Sequence, residues 1–152
     1  MVKEKQLEGR YKRIYAQLKI LLQKTENKIA RMSTTAALLH NKMPHFFWTG
    51  FYIIKDKILI IGPYQGPLAC QVLDYPEGVC WKSVLEKSTI VVPDVHNFPS
   101  HIGCDRRSNS EIAIPLFNEK NQVWAVLDID SQKFDAFSDT DKEWLEKIAS
   151  LI

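Results

Sequence analysis

The spacing of apolar residues changes character near Pro44, and that change limits the fold the chain can adopt. Upstream, Leu7, Tyr11, Ile14, Tyr15, Leu18, Leu21 and Leu22 recur at helical intervals. Ile29, Met32, Ala36 and Leu39 continue the pattern after a polar break from Thr25 to Asn27, so two helices are expected before Pro44. From Phe46 the runs become short and rich in β-formers. WTGFYII and KILIIG, separated by Lys55, Asp56 and Lys57, read as a hairpin. Gly62, Pro63, Gly66 and Pro67 then read as a turn-rich connection. ACQVL, TIVVPDV, SEIAIPLF and VWAVLDID supply four more strands, and GVCWKSVLEK a short helix between them. Ser138 followed by Asp141 caps a terminal helix through Trp144, Leu145 and Ile148. The expectation is an α+β domain over residues 1–152, with helices in 1–43, sheet and loops in 46–131, and a last helix in 138–152.

A chain of 152 residues buries about 70% of the surface its unfolded form exposes, so no cofactor is required merely to hold it folded. The apolar runs are far shorter than the roughly 20 residues of a membrane-spanning helix, and no apolar signal core follows the lysine-rich start. Three cysteines without a CxxC pair suit a reducing compartment, which points to the cytoplasm. Through Lys42 the chain carries ten Lys or Arg against three Asp or Glu. Those charges are spread around helical positions without a nucleic-acid reading motif, and a solvated helix face accounts for them.

Asp128 and Asp130 stand two apart on an apolar strand, so the pleat turns both carboxylates to one face. Either they are hydrated at a strand end or they are used. Glu111 opens another strand and adds a third carboxylate if the two strands are neighbours. Like charges that close raise one another's pKa and leave one group protonated near neutral pH. Cys104 lies in the polar loop HIGCDRRSNS between His101 and the pair Arg106 and Arg107, whose charges favour a thiolate. Cys70 and Cys80 have the setting of small buried hydrophobes. His96, His101, Cys70, Cys80 and Cys104 do not match a compact zinc motif, so no metal is expected. Phosphate-loop and dinucleotide signatures are absent. Trp48 and Tyr52, four apart on one strand face, wall either a core or a small-molecule pocket.

WTGFY, GPYQGPLAC, GVC, VVPDVHNFPSHIGCD, SNSEIAIPL and LDIDS together resemble the free methionine-(R)-sulfoxide reductases, single-domain enzymes of the GAF fold. The resemblance implies a six-stranded antiparallel sheet flanked by helices, a homodimer, and free methionine-(R)-sulfoxide as substrate. It makes Cys104 the nucleophile, Cys70 the resolving cysteine and Cys80 a third thiol able to join the exchange. Glu111, Asp128 and Asp130 become the carboxylates that bind and polarise the substrate, with Trp48 and Tyr52 its aromatic wall. A thioredoxin-type dithiol regenerates the enzyme, and no cofactor is needed. Trp81 stands where the family carries a small residue after GVC, which is expected to narrow the approach to Cys80. The rival reading is a GAF module that binds a small molecule or senses redox state without turnover. Against a cyclic-nucleotide sensor, SQKF occupies the approximate place of the asparagine-lysine signature.

Overall fold

A computed structural model describes residues Met1–Ile152. Helix α1 (Val2–Leu21) buries Tyr11, Ile14 and Leu18, one stripe at helical spacing. A short 3-10 turn (Leu22–Lys24) and extended Thr25 break the path. Asn27 then caps α2 (Lys28–Lys42), its side chain accepting from the Ala30 N–H at 3.0 Å. Arg31 holds the corner between the helices, donating to the Thr25 carbonyl at 2.7 Å. Met43 is extended as it enters Pro44, which ends the helix.

Strands β1 (Trp48–Lys55) and β2 (Ile58–Gln65) form the hairpin, with Asp56 taking the left-handed backbone of its turn. Next come β3 (Val72–Asp74), helix α3 (Gly78–Glu86) and β4 (Ile90–Val92). The chain closes with β5 (Ser110–Phe117), β6 (Val123–Ser131) and α4 (Asp139–Ala149). The strands make one six-stranded sheet in the order β3-β2-β1-β6-β5-β4, antiparallel at every pairing.

Two expectations are corrected. Gly62 and Pro63 are not in a turn but inside β2. Strand β3 pairs only with Ile58–Ile60, so the far edge of β2 carries no ladder at Pro63 and its missing N–H costs no sheet bond. The chain turns instead at Gly66, whose φ of +117° is open to glycine alone without strain. Strand β3 also starts at Val72, which leaves Cys70 on the connection ahead of it.

The sheet is covered on both faces. On one, Phe51, Ile112, Ile114, Leu127 and Ile129 pack with the buried stripes of α1, α2 and α4 in a single large cluster. On the other, Trp48, Tyr52, Ala113 and Val126 meet Val79, Cys80 and Trp81 of α3. Burial along β5 is therefore nearly continuous, as a sheet with two covered faces requires.

Asp141 ties the termini together. Its Oδ1 accepts from the Tyr11 hydroxyl at 2.6 Å and contacts His45 Nε2 at 3.1 Å. Its Oδ2 accepts from the Ser138 N–H at 2.8 Å and completes a capping box. Burial works against ionisation, but these hydrogen bonds outweigh it and hold the carboxyl below its ordinary value. Asp141→Ala removes a cap residue and leaves the buried Tyr11 hydroxyl unpaired. The expected loss is about 2–4 kcal/mol, read as a lower urea midpoint at unchanged m-value.

Candidate active site

The pleat places the carboxylates. Ile112 and Ile114 of β5, and Leu127 and Ile129 of β6, face the α1/α2/α4 side. Glu111, Asp128 and Asp130 have the opposite parity and so face α3. Register then brings them together, because Glu111 pairs with Asp130 and Asp128 with Ala113 across adjacent strands. Glu111 is 6% exposed and Asp128 5%, so hydration at a strand end does not account for them. Asp130 is half-buried.

Burial is the main cause of raised pKa values throughout this cluster. It pushes Glu111 up to about 8, with the Asp130 charge adding to it. It also pushes Asp128 well up, helped by the Glu111 charge, and Asp130 well up, helped by Asp128. His101 Nε2 lies 3.4 Å from Glu111 Oε2. Burial lowers the His101 pKa, so near neutral pH this neighbour does not supply a full positive charge to keep Glu111 ionised. Asp128 Oδ1 is buried without a hydrogen-bond partner.

Aromatic rings form the next wall. The Trp48 indole lies between Tyr52, at 5.9 Å, and Tyr64, at 5.4 Å, with both rings roughly parallel to it. Gly50 makes this possible, since a Cβ there would stand 2.4 Å from Tyr64 Cβ and 2.6 Å from the indole ring. The Trp48 indole N–H is also buried and unpaired. The Tyr52 hydroxyl donates to the Cys70 carbonyl at 2.9 Å, which pins the cysteine loop to β1.

Cys70 and Cys104 are joined as a disulfide with Cα atoms 5.5 Å apart. Cys70 is half-buried and Cys104 exposed, so Cys70 is not the inert core residue its setting suggested. Cys80 is free and buried. Burial, then the Asp128 charge, pushes its thiol well above the usual range. Trp48, Tyr52, Cys80, Cys104, Glu111, Asp128 and Asp130 line one cavity of about 50 Å³, and Cys70 joins it through the disulfide.

Trp81 does not narrow that cavity. Helical rotation of about 100° per residue turns it away from the face Cys80 presents, and its indole N–H donates to the Leu73 carbonyl at 2.9 Å. Of the two arginines after Cys104, Arg107 is committed to Asp105 at 2.8 Å. This pairing holds Asp105 down at about 2, so Arg107 offers little unspent charge to a Cys104 thiolate. Gly50 and the lining residues Ser108, Leu68 and Ile102 were not legible in the sequence. Gly50 was detectable only as the small residue between two aromatic positions.

The pKa of Glu111 carries a stability consequence. An ordinary glutamate at 4.5 loses its proton well before the folded group at about 8, so between those values the folded state binds more protons than the unfolded one. Stability contributed by the protonated group is present below 4.5 and is lost as pH rises toward 8. Glu111→Gln is expected to show a smaller fall in urea midpoint from pH 5 to pH 8 than the parent protein. Equal falls in the two proteins would contradict the raised value.

The family model of the GAF domain matches residues 30–152. The free methionine-R-sulfoxide reductase of Escherichia coli is 41% identical over 122 residues, spanning 80% of this chain and 73% of that protein. The crystal structure of the free methionine-R-sulfoxide reductase of Neisseria meningitidis in complex with its substrate superposes with a TM-score of 0.89 at 34% identity, over 93% of this chain and 84% of that one. The fRMsr of Staphylococcus aureus in its reduced form gives a TM-score of 0.89 at 41% identity, over 93% and 92%. With a six-stranded antiparallel sheet, flanking helices and this degree of identity, the chain belongs to the free methionine-(R)-sulfoxide reductase family of GAF-domain proteins.

Proposed function

We propose that this oxidoreductase reduces free methionine-(R)-sulfoxide through Cys104, with the carboxylate cluster as proton source. The Cys104 thiolate attacks the sulfoxide sulfur while a carboxyl group protonates the departing oxygen. The resulting hydroxyl passes from the methionine sulfur to the Cys104 sulfur as the bond between the two sulfurs breaks, so methionine leaves as the thioether and Cys104 is left as a sulfenic acid. The Cys70 thiol then attacks that sulfur, and water leaves as the disulfide forms. An external dithiol reduces the disulfide and is itself oxidised. Per cycle, one sulfoxide and two thiols become one methionine, one disulfide and one water.

The observation that carries this reading is the Cys70–Cys104 disulfide at the rim of a cavity floored by Glu111, Asp128 and Asp130. A carboxyl with a pKa of about 8 is roughly 90% protonated at pH 7, ready to act as an acid. Magnitudes favour the acid over thiol activation. Lowering a thiol pKa from about 8.5 to about 6.5 raises the thiolate fraction about 25-fold at pH 7, and weaker nucleophilicity cancels about 6- to 10-fold of it. General acid catalysis is worth about 100- to 10,000-fold.

Substrate size is read from the cavity. Leu68 and Ile102, on the two cysteine-bearing connections, line the cavity. A cavity of about 50 Å³ has little room for chain on both sides of a peptide-borne sulfoxide. This supports the free amino acid, with Trp48 and Tyr52 against its apolar part. The proposal also includes a homodimer, a thioredoxin-type reductant and a cytoplasmic setting, where thiols such as Cys80 stay reduced. No helix is long and apolar enough to cross a membrane. A redox sensor using the same disulfide is the second reading, favoured by the exposure of Cys104.

Turnover with separated epimers decides between them. The R epimer of free methionine sulfoxide should be reduced much faster than the S epimer or a peptide sulfoxide, and equal rates on all three would refute the assignment. In rapid-quench experiments Cys104→Ser should release no methionine, whereas Cys70→Ser should release about one per site before stalling. Glu111→Gln should slow that first release by at least about 100-fold, while leaving Cys104 open to a small alkylating agent.

A further inference from the structure

Cys80, Glu111 and Asp128 come from α3, β5 and β6, and one donor atom of each lies within 4.8 Å of the other two. All three are buried. Such a set contains three groups that become anionic on losing a proton, with the His101 imidazole 3.4 Å from Glu111. Independently, Asp128 Oδ1 is buried without a hydrogen-bond partner, on a member of this group that is only 5% exposed. An acceptor left unpaired in the interior is costly, and a cation would satisfy it.

We propose that Cys80, Glu111 and Asp128 form a binding site for a thiophilic divalent cation of the zinc type, whose occupancy blocks the cavity. The donor set selects the metal class. One sulfur with two carboxylate oxygens suits zinc or cobalt, whereas magnesium and calcium call for oxygen donors alone. Three protein ligands with the fourth position open is a common zinc arrangement. Zinc bonds of about 2.3 Å to sulfur and 2.0–2.2 Å to oxygen place tetrahedral donors about 3.4–3.6 Å apart. The present spread of up to 4.8 Å therefore closes with side-chain movements on the order of 1 Å. The open position faces the cavity of about 50 Å³, which is enough for a bound water. Binding releases to solvent the Cys80 thiol proton and the protons that Glu111 and Asp128 hold, as the sulfur and the two carboxylates take the metal.

The site differs from the histidine and cysteine set weighed in the sequence, from which no metal was expected. His96, Cys70 and Cys104 take no part, and the disulfide removes both of those cysteines as ligands. Cys80 is the one free thiol in that state. Binding rests on this geometry alone, while its inhibitory effect rests on the reductase reading.

The oxidised protein, free of any histidine tag, is titrated with cobalt(II) and followed by its thiolate-to-cobalt absorption. A single cobalt per chain with that absorption, displaced by zinc and not by magnesium, is the expected result. Cys80→Ser should abolish the absorption, and Asp128→Asn should weaken binding at least about tenfold, both with unchanged circular dichroism. No thiolate absorption in the parent protein, or cobalt binding unaltered in Cys80→Ser, overturns the inference. In turnover assays zinc should raise the apparent KM for the sulfoxide at unchanged kcat. Failure of metal-free protein to turn over would count against the reductase reading alone, since the cobalt titration stands without it.

Discussion

Three carboxyl groups held against a sheet face that is otherwise apolar are the constraint around which the molecule is organised. Burying ionisable groups is unfavourable unless they are paired or neutral. Here no arginine or lysine pairs with Glu111 or Asp128, and burial drives both toward the protonated form. The opposite face of the sheet absorbs that cost. Helices α1, α2 and α4 cover it with a cluster of 21 buried residues, against 11 on the face that carries the carboxyls. The larger core therefore supports strands whose other side is held in an unfavourable state. Deviations of this kind concentrate where function requires them.

Much of this was legible in the sequence because it follows from periods. The change from helical to strand spacing near Pro44 located the two helices and the hairpin, and the two-residue interval of Asp128 and Asp130 put them on one face. Ser138 and Asp141 identified the terminal cap. What was not legible depended on pairing between distant strands. Whether Glu111 met the aspartates turned on β5 lying beside β6, and no local pattern encodes that. Gly62 and Pro63 misled for the same reason, since a proline is tolerated in β2 because pairing with β3 reaches no further along it than Ile60. Trp81 misled in another way: judged by its neighbour Cys80 in sequence, it lies about 100° around the helix from it.

The zinc-type constellation shows the same limit from the chemical side. Short spacings reveal a metal motif when its ligands share a turn or a hairpin. Cys80, Glu111 and Asp128 are 31 and 17 residues apart in the chain, and only the alignment of α3 over β5 and β6 unites them. Histidines and cysteines drew attention in the sequence, yet carboxylates supply two of the three donors.

The thiols and the acids sit on different kinds of structure, and the proposed reaction gives a reason. An acid must hold its position relative to the departing oxygen, so it belongs on central strands whose backbones are hydrogen-bonded on both sides. Glu111 pairs with both Val92 and Asp130, and Asp128 with both Gly50 and Ala113. A thiol that first meets a substrate and then a second thiol must change partners. Cys70 and Cys104 accordingly sit on connections outside the sheet. The Tyr52 hydroxyl limits how far the Cys70 connection can depart from the aromatic wall. Arg107, tied to Asp105 and lying 4.9 Å over the Phe47 ring, anchors the other connection rather than tuning the thiol. In the proposed reaction, turnover at Cys104 then rests more on the carboxyls the sheet presents than on activation of the thiol by its loop.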